Sequence, residues 1–375
     1  MSVKRIEAMR KALRASLLVV AGACVASVAG AAGPEEPVLN VYNWNDYIAK
    51  DTIARFEKET GIKVRYDLYD SNETLQAKLL TGKAGYDIVV PSLEFAGKQI
   101  QAGVHQKLDK AKLHNWGNLN PAILAKVAAA DPGNAYLVPY MWGTTALAIN
   151  EDKVAQVLGG KLPDDAWQLL FDPAYTSKLK ACGISYMDTA SDAYAMVNIY
   201  LGRPAGDYSE AALKADNEQL SKVRRDIRLF NSSPIDAMAN GDLCVAMMFN
   251  GDAYMARNRA REAKNHQRIR YLLPKKGTIL WVDNMAIPKS APHPGNAHRF
   301  IDFILRPDVV AQISNEVFYA NPNTKATPLV KAEIRDDPNI YMTDDELKHL
   351  TAKKVIPAPE QKRLTTFWNR FKTAR

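Results

Sequence analysis

From residue 38 onward, short apolar runs alternate with amphipathic stretches of about ten residues. Residues 38–42 (VLNVY) read as a β-strand. Residues 51–60 place Ile53 and Phe56 on one helical face, with Asp51 as the N-cap and Gly61 as the terminator. Residues 63–68 alternate as a second strand, 72–80 read as helix, and 86–90 form a short apolar strand stopped by Pro91. Strands separated by helices predict a largely parallel sheet covered on both faces, because parallel neighbours need a crossover between them.

The second half continues in the same style without repeating the sequence. Strands are expected at 137–140, 146–150, 183–187, 227–230, 243–248, 268–273 and 281–287. Helices are expected at 190–201, 209–225, 251–262, 296–305, 308–317, 344–350 and 360–371. A chain of 375 residues is long enough for two domains, yet no Pro/Ser-rich linker separates the halves. Two α/β lobes joined without a linker imply strands that pass from one to the other. The ligand of such an architecture sits in the cleft, at the carboxyl ends of strands.

Residues 1–31 follow a different pattern. Lys4, Arg5, Arg10, Lys11 and Arg14 precede the apolar run at 15–23, and small residues follow at 29–32. This is the layout of a secretory signal peptide. The run is shorter than the ~20 residues a membrane span needs, which disfavours an N-terminal anchor. A lipid on Cys24 is a further alternative. The segment also changes how the charge reads. The whole chain carries +8, but five of its 49 basic and one of its 41 acidic residues lie here, so the rest carries only +4. A nucleic-acid partner, which the whole-chain charge would suggest, is not expected. With 47% hydrophobic and 24% charged residues, wholesale disorder is excluded. Beyond the leader, Cys182 and Cys244 remain. In an exported protein such a pair reads as a disulfide, with two buried thiols as the alternative.

Catalysis has no sequence support. The histidines at 105, 114, 266, 293, 298 and 349 lack metal-ligand spacing, and no HExxH, P-loop, GxSxG or GxGxxG signature occurs. No enzyme activity, cofactor or metal is therefore expected. What recurs is aromatic residues beside carboxylates at the ends of expected strands. Trp44-Asn45-Asp46-Tyr47 follows the first strand, and Ser92-Leu93-Glu94-Phe95 follows Pro91. Asp188 and Asp192 follow the strand at 183–187. Phe249-Asn250-Gly251-Asp252 and Trp281-Val282-Asp283 repeat the pairing. An organic ammonium needs such a set: a carboxylate to neutralise it once it leaves water, and ring faces against its methylenes. A polyamine, with ammoniums joined by apolar spacers, suits alternating carboxylates and rings. Each cluster alone is more simply read as turn or core residues.

From residue 38 to the C-terminus, the chain resembles the periplasmic polyamine-binding proteins of bacterial ABC transporters, most closely the putrescine-binding branch. The likeness is carried by residues 42–48 (YNWNDYI), 56–64 (FEKETGIKV) and 86–92 (YDIVVPS). Residues 139–145 (PYMWGTT), 239–242 (ANGD) and 317–321 (VFYAN) extend it. The resemblance implies an α/β, two-lobed periplasmic solute-binding fold (type II), with hinged lobes and a central cleft. One lobe would span 35–141 plus 280–327, the other 145–277 plus 332–375. Carried over by position, Trp44, Asp46 and Tyr47 would line one wall, and Ser92 would add a hydrogen bond. Asp192, Asp252 and Asp283 would hold the ammoniums, Trp281 and Tyr319 would sandwich the alkyl chain, and Cys182 and Cys244 would form the family's disulfide.

Four positions depart from that pattern. Asn45 stands where the putrescine branch has serine, and Glu94 replaces a small polar residue. Phe249 stands where tryptophan is usual, which weakens any cation–π attraction there. Trp281 stands where the putrescine branch has phenylalanine and the spermidine-preferring relatives have tryptophan. An added carboxylate and a larger ring would favour spermidine, whereas a solvent-facing Glu94 would be neutral. The implied function is capture of putrescine or spermidine in the periplasm and delivery to a membrane ABC permease. A sensor that signals through a membrane receptor without import is the alternative. A monomer is expected, since both lobes must face the permease.

Overall fold

The computed structural model describes residues 35–343, 350–353 and 355–374. The signal-like segment at 1–31 and most of the expected helix at 344–350 lie outside them. The strands form one ten-stranded mixed sheet. Strand β1 (Val38–Trp44) pairs in parallel with β2 (Lys63–Tyr69) and β3 (Ile88–Val89), as the strand–helix alternation predicts. The helices Thr52–Thr60 and Asn72–Leu79 supply the crossovers. Gly61 terminates the first of these helices at φ 73°, where a Cβ would strain the backbone. Asp51 occupies the N-cap position as expected, but its side chain makes no capping hydrogen bond. Its carboxylate accepts instead from the Gln312 side-chain amide at 2.8 Å. Phe56 anchors the helix, meeting Phe300 and Phe303 edge-on at 5.0 and 5.4 Å.

Between β3 and the middle of the sheet the pairing turns antiparallel, and it returns to parallel at the far edge. Strand β4 (Leu137–Asn150) runs fourteen residues, all buried, through what patterning divides into two strands. Gly143, Thr144 and Thr145 look like a break, but none has to face water. Residues 137–145 pair with β9 (Ile279–Ala286), with a register shift between Pro139 and Met141, where proline has no N–H to give the ladder. The end of the same strand pairs with β7 (Val245–Phe249) and β8 (Ile269–Leu272). Strand β4 thus ties the β2-β1-β3-β9 flank of the sheet to the flank built from β7, β5 (Ile184–Tyr186) and β6 (Leu229–Phe230). The expected helix at 209–225 ends at Ser221, and a 3-10 turn covers Arg224–Asp226.

Cys182 and Cys244 precede the adjacent parallel strands β5 and β7 and are joined by a disulfide. By loop closure, this link removes about 4 kcal/mol of freedom from the unfolded chain. Near the C-terminus, β10 (Thr351–Ala352) pairs in parallel with Ile279–Leu280 of β9. The helix Ala358–Thr373 then packs Trp368 and Phe371 against Tyr194, Phe230 and Tyr186. The β10 pairing delivers the next residue, Lys353, beside Trp281. Among the described residues no helix is long and apolar enough to cross a membrane.

Candidate functional site

A cleft with about 670 Å³ of space, part of it open to solvent, lies at the carboxyl ends of β1, β3, β5 and β7. That is where parallel strands leave room for a ligand. Trp44, Asn45, Tyr47, Ser92, Asp192, Phe249, Asp252, Trp281, Asp283 and Tyr319, all singled out from sequence, line it together. Tyr69, Asp70, Asn72, Thr189, Ser232, Ser233 and Lys353 complete the wall.

The rings form a connected chain. Phe249 meets Trp281 at 5.5 Å, Trp281 meets Tyr319 at 5.3 Å, and Tyr319 meets Tyr47 at 5.2 Å, all near-perpendicular. Such edge-to-face contacts fix ring orientation and turn faces and edges toward the cleft. Two glycines allow the packing. A Cβ on Gly251 would fall 2.5 Å from the Tyr319 ring, and one on Gly143 would fall 2.6 Å from the Trp281 ring.

Asp283 ends up only 5% exposed, with no cation bonded to it among the described residues. Tyr47 Oη donates to it at 2.9 Å and Ser92 Oγ at 2.6 Å. Ser92 occupies the N-cap of the helix Leu93–Gln101 but makes no capping bond. Its hydroxyl goes to Asp283, and Asn72 fixes the serine through two hydrogen bonds. Burial pushes the Asp283 carboxyl up to about 7 against the opposing pull of these donors. Asp252 is 8% exposed and sits in the first turn of the helix Asn250–Glu262, where the helix dipole favours an anion. Tyr319 Oη donates to its carboxylate and accepts from its N–H. Burial again raises this carboxyl to about 7, with the Tyr319 bond acting the other way.

The other carboxylates are differently placed. Asp46 points to the rim and pairs with Arg259 at 2.8 Å, and it does not line the cleft. Arg259 also holds Asp236 at 2.7 Å. The Glu94 side chain is only 1% exposed, so the solvent-facing alternative is excluded, but it lies behind the wall. Lys353 Nζ stands 2.5 Å from Glu94 Oε1 and 2.5 Å from Asp192 Oδ1, at 7% exposure. Burial disfavours the Lys353 charge, but the two carboxylates outweigh it and hold the ammonium well above the ordinary lysine range. Burial raises the Asp192 carboxyl, and Lys353 opposes that rise. Sequence reasoning missed Lys353. Nothing local marks it, since its partners lie 259 and 161 residues away. No group of three or more His, Cys, Asp or Glu side chains that would suit a metal occurs among the described residues.

Comparison with known proteins places this cleft in context. The family model for bacterial extracellular solute-binding proteins matches residues 51–343. The chain belongs to that family. It is 46% identical to the putrescine-binding periplasmic protein SpuD of Pseudomonas aeruginosa, over 93% of this chain and 96% of that one. It is also 46% identical to the putrescine-binding periplasmic protein PotF of Escherichia coli, over 95% and 97%. Among solved structures, a putative spermidine/putrescine ABC transporter protein from Listeria monocytogenes superposes with a TM-score of 0.81. That match has 33% identity and covers 91% of this chain and all of that one. The fold is thus the two-lobed periplasmic solute-binding fold (type II).

Proposed function

We propose that this solute-binding protein captures a polyamine of the putrescine–spermidine class in its cleft and delivers it to an ABC permease. The observation that carries this reading is Asp252 and Asp283. Both carboxylates are buried, neither has a counter-ion among the described residues, and both sit beside a chain of four aromatic rings. A buried anion without a cation is costly, and an ammonium ligand removes that cost. The rings give the methylenes an apolar, cation-tolerant bed. The named relatives support the same ligand class.

In this reading the lobes are 35–141 plus 280–327 and 145–277 plus 332–375. Asp283 and Ser92 act from the first, Asp252 and Phe249 from the second. A ligand held from both sides favours the closed form, because only differential contacts shift such an equilibrium. Residues 1–31 direct export to the periplasm, and the protein works there as a monomer, as a binding protein rather than an enzyme. The test is calorimetric titration of ligand-stripped protein with putrescine, cadaverine, agmatine, spermidine and spermine. Sub-micromolar binding of at least one supports the assignment. Absence of heat with all five overturns it.

A further inference from the structure

Three buried carboxylates line the cleft and a fourth, Glu94, lies directly behind its wall, and they are not equivalent. Among the described residues, Asp252 and Asp283 accept side-chain hydrogen bonds only from neutral groups, tyrosine hydroxyls and a serine hydroxyl. Glu94 and Asp192 share the Lys353 ammonium, at 2.5 Å each. Lys353 is itself part of the cleft wall. It arrives there because β10 runs beside Ile279 and Leu280, which places the following residue next to Trp281. A lysine side chain is chemically an alkylammonium, so this one fills a cation place with the same group that a polyamine carries.

We propose that Lys353 is a specificity-determining residue: its ammonium occupies the cation place built by Glu94 and Asp192, leaving Asp252 and Asp283 as the buried carboxylates open to ligand ammoniums, so the site selects a diamine over a triamine. The proposal rests on the polyamine reading above and deepens it. It also reverses what Glu94 suggests in isolation. An added carboxylate favours a third ligand ammonium only while it is unpaired, and here it is paired within the chain. A triamine would have to expel Lys353 from two buried partners or leave its own third ammonium with no buried anion, since Asp70, the other carboxylate on the wall, is exposed and screened by water. A mainly structural salt bridge would matter for folding but would not rank ligands by their number of ammoniums.

The test is calorimetric titration of the full, ligand-stripped protein and of Lys353→Gln with putrescine and with spermidine. Glutamine removes the charge but keeps a polar donor beside Asp192; Lys353→Met provides a second, apolar variant, and a melting curve of each establishes that it is folded. The wild type is expected to bind putrescine at least tenfold more tightly than spermidine. Both variants should shift that ratio toward spermidine by tenfold or more. Adding Glu94→Gln to Lys353→Gln should then cancel much of the shift. An unchanged ratio in both single variants, or a wild type that prefers spermidine, overturns the proposal. Should the wild type bind neither amine while Lys353→Gln binds spermidine, the polyamine reading of the natural protein fails and the role of Lys353 stands. Binding of neither amine by any of these proteins overturns both.

Discussion

Asp252 and Asp192 make an informative pair. Each lies in the first turn of a helix that follows a strand, each is buried, and each lines the same cleft. Asp192 meets a lysine ammonium at 2.5 Å, whereas Asp252 meets a tyrosine hydroxyl. Residue type, helix position and burial are therefore insufficient to mark a ligand carboxylate. What separates the two is whether the chain supplies its own cation. The Lys353 end of the cleft is already satisfied internally, and the aromatic end waits for a guest.

That contrast breaks most visibly in binding. Asp252→Asn strands a ligand ammonium at the aromatic end and should cost about 3–5 kcal/mol, a loss of 10²-fold or more in putrescine affinity by calorimetry. Asp192→Asn removes a partner of Lys353 rather than of the ligand. Its expected effect on putrescine affinity is under tenfold, with a lower melting temperature because a buried ammonium loses one anion. Equal losses of affinity in the two variants would erase the distinction between the ends.

The next effect is in pH. In the empty protein Asp252 and Asp283 titrate near 7, while an ammonium ligand requires them ionised. Below pH 7 binding must first remove protons, so affinity should fall by up to tenfold per pH unit for each carboxylate and level off above about 8. Stability of the empty protein follows the opposite sign. A carboxyl raised in the folded state above its unfolded value near 3.8 stabilises fully below that value, and the contribution is lost as pH rises through 7. Wild-type protein should therefore lose melting temperature from pH 5 to pH 8 relative to an Asp252→Asn/Asp283→Asn double variant. Parallel curves for the two proteins would count against buried, unpaired carboxylates.

The smallest effect concerns the rings. Phe249→Trp offers a stronger π-face beside Trp281 and should tighten putrescine by about 0.5–1 kcal/mol, two- to fivefold. A loss would mean that the larger ring crowds the alkyl chain.

Much of this was legible in the residues. The parallel half of the sheet follows from strand–helix alternation, since Ile53, Phe56 and the apolar run at 88–90 leave few other arrangements. Most of the cleft residues stand out because rings and carboxylates recur together at strand ends, whereas Tyr319 is marked only by the family resemblance. Two features were not legible, for physical reasons. Strand β4 looks divided because Gly143, Thr144 and Thr145 are small or polar, yet buried strands in a sheet's centre tolerate them when neighbours pair every backbone group. Lys353 has no periodicity or motif around it. Its role is created by tertiary distance to Glu94 and Asp192, which no local pattern encodes. The departure at Glu94 was visible, but its meaning depended on that unseen lysine.

The central claim is that two buried, counter-ion-free carboxylates receive the ammoniums of a polyamine. It is tested most directly by titrating ligand-stripped protein with putrescine at pH 7 in two buffers of different ionisation enthalpy. Near their titration midpoint the two groups together should release about one proton per ligand bound. Tight binding with that release is the predicted result. Binding without proton exchange, or no binding, contradicts it.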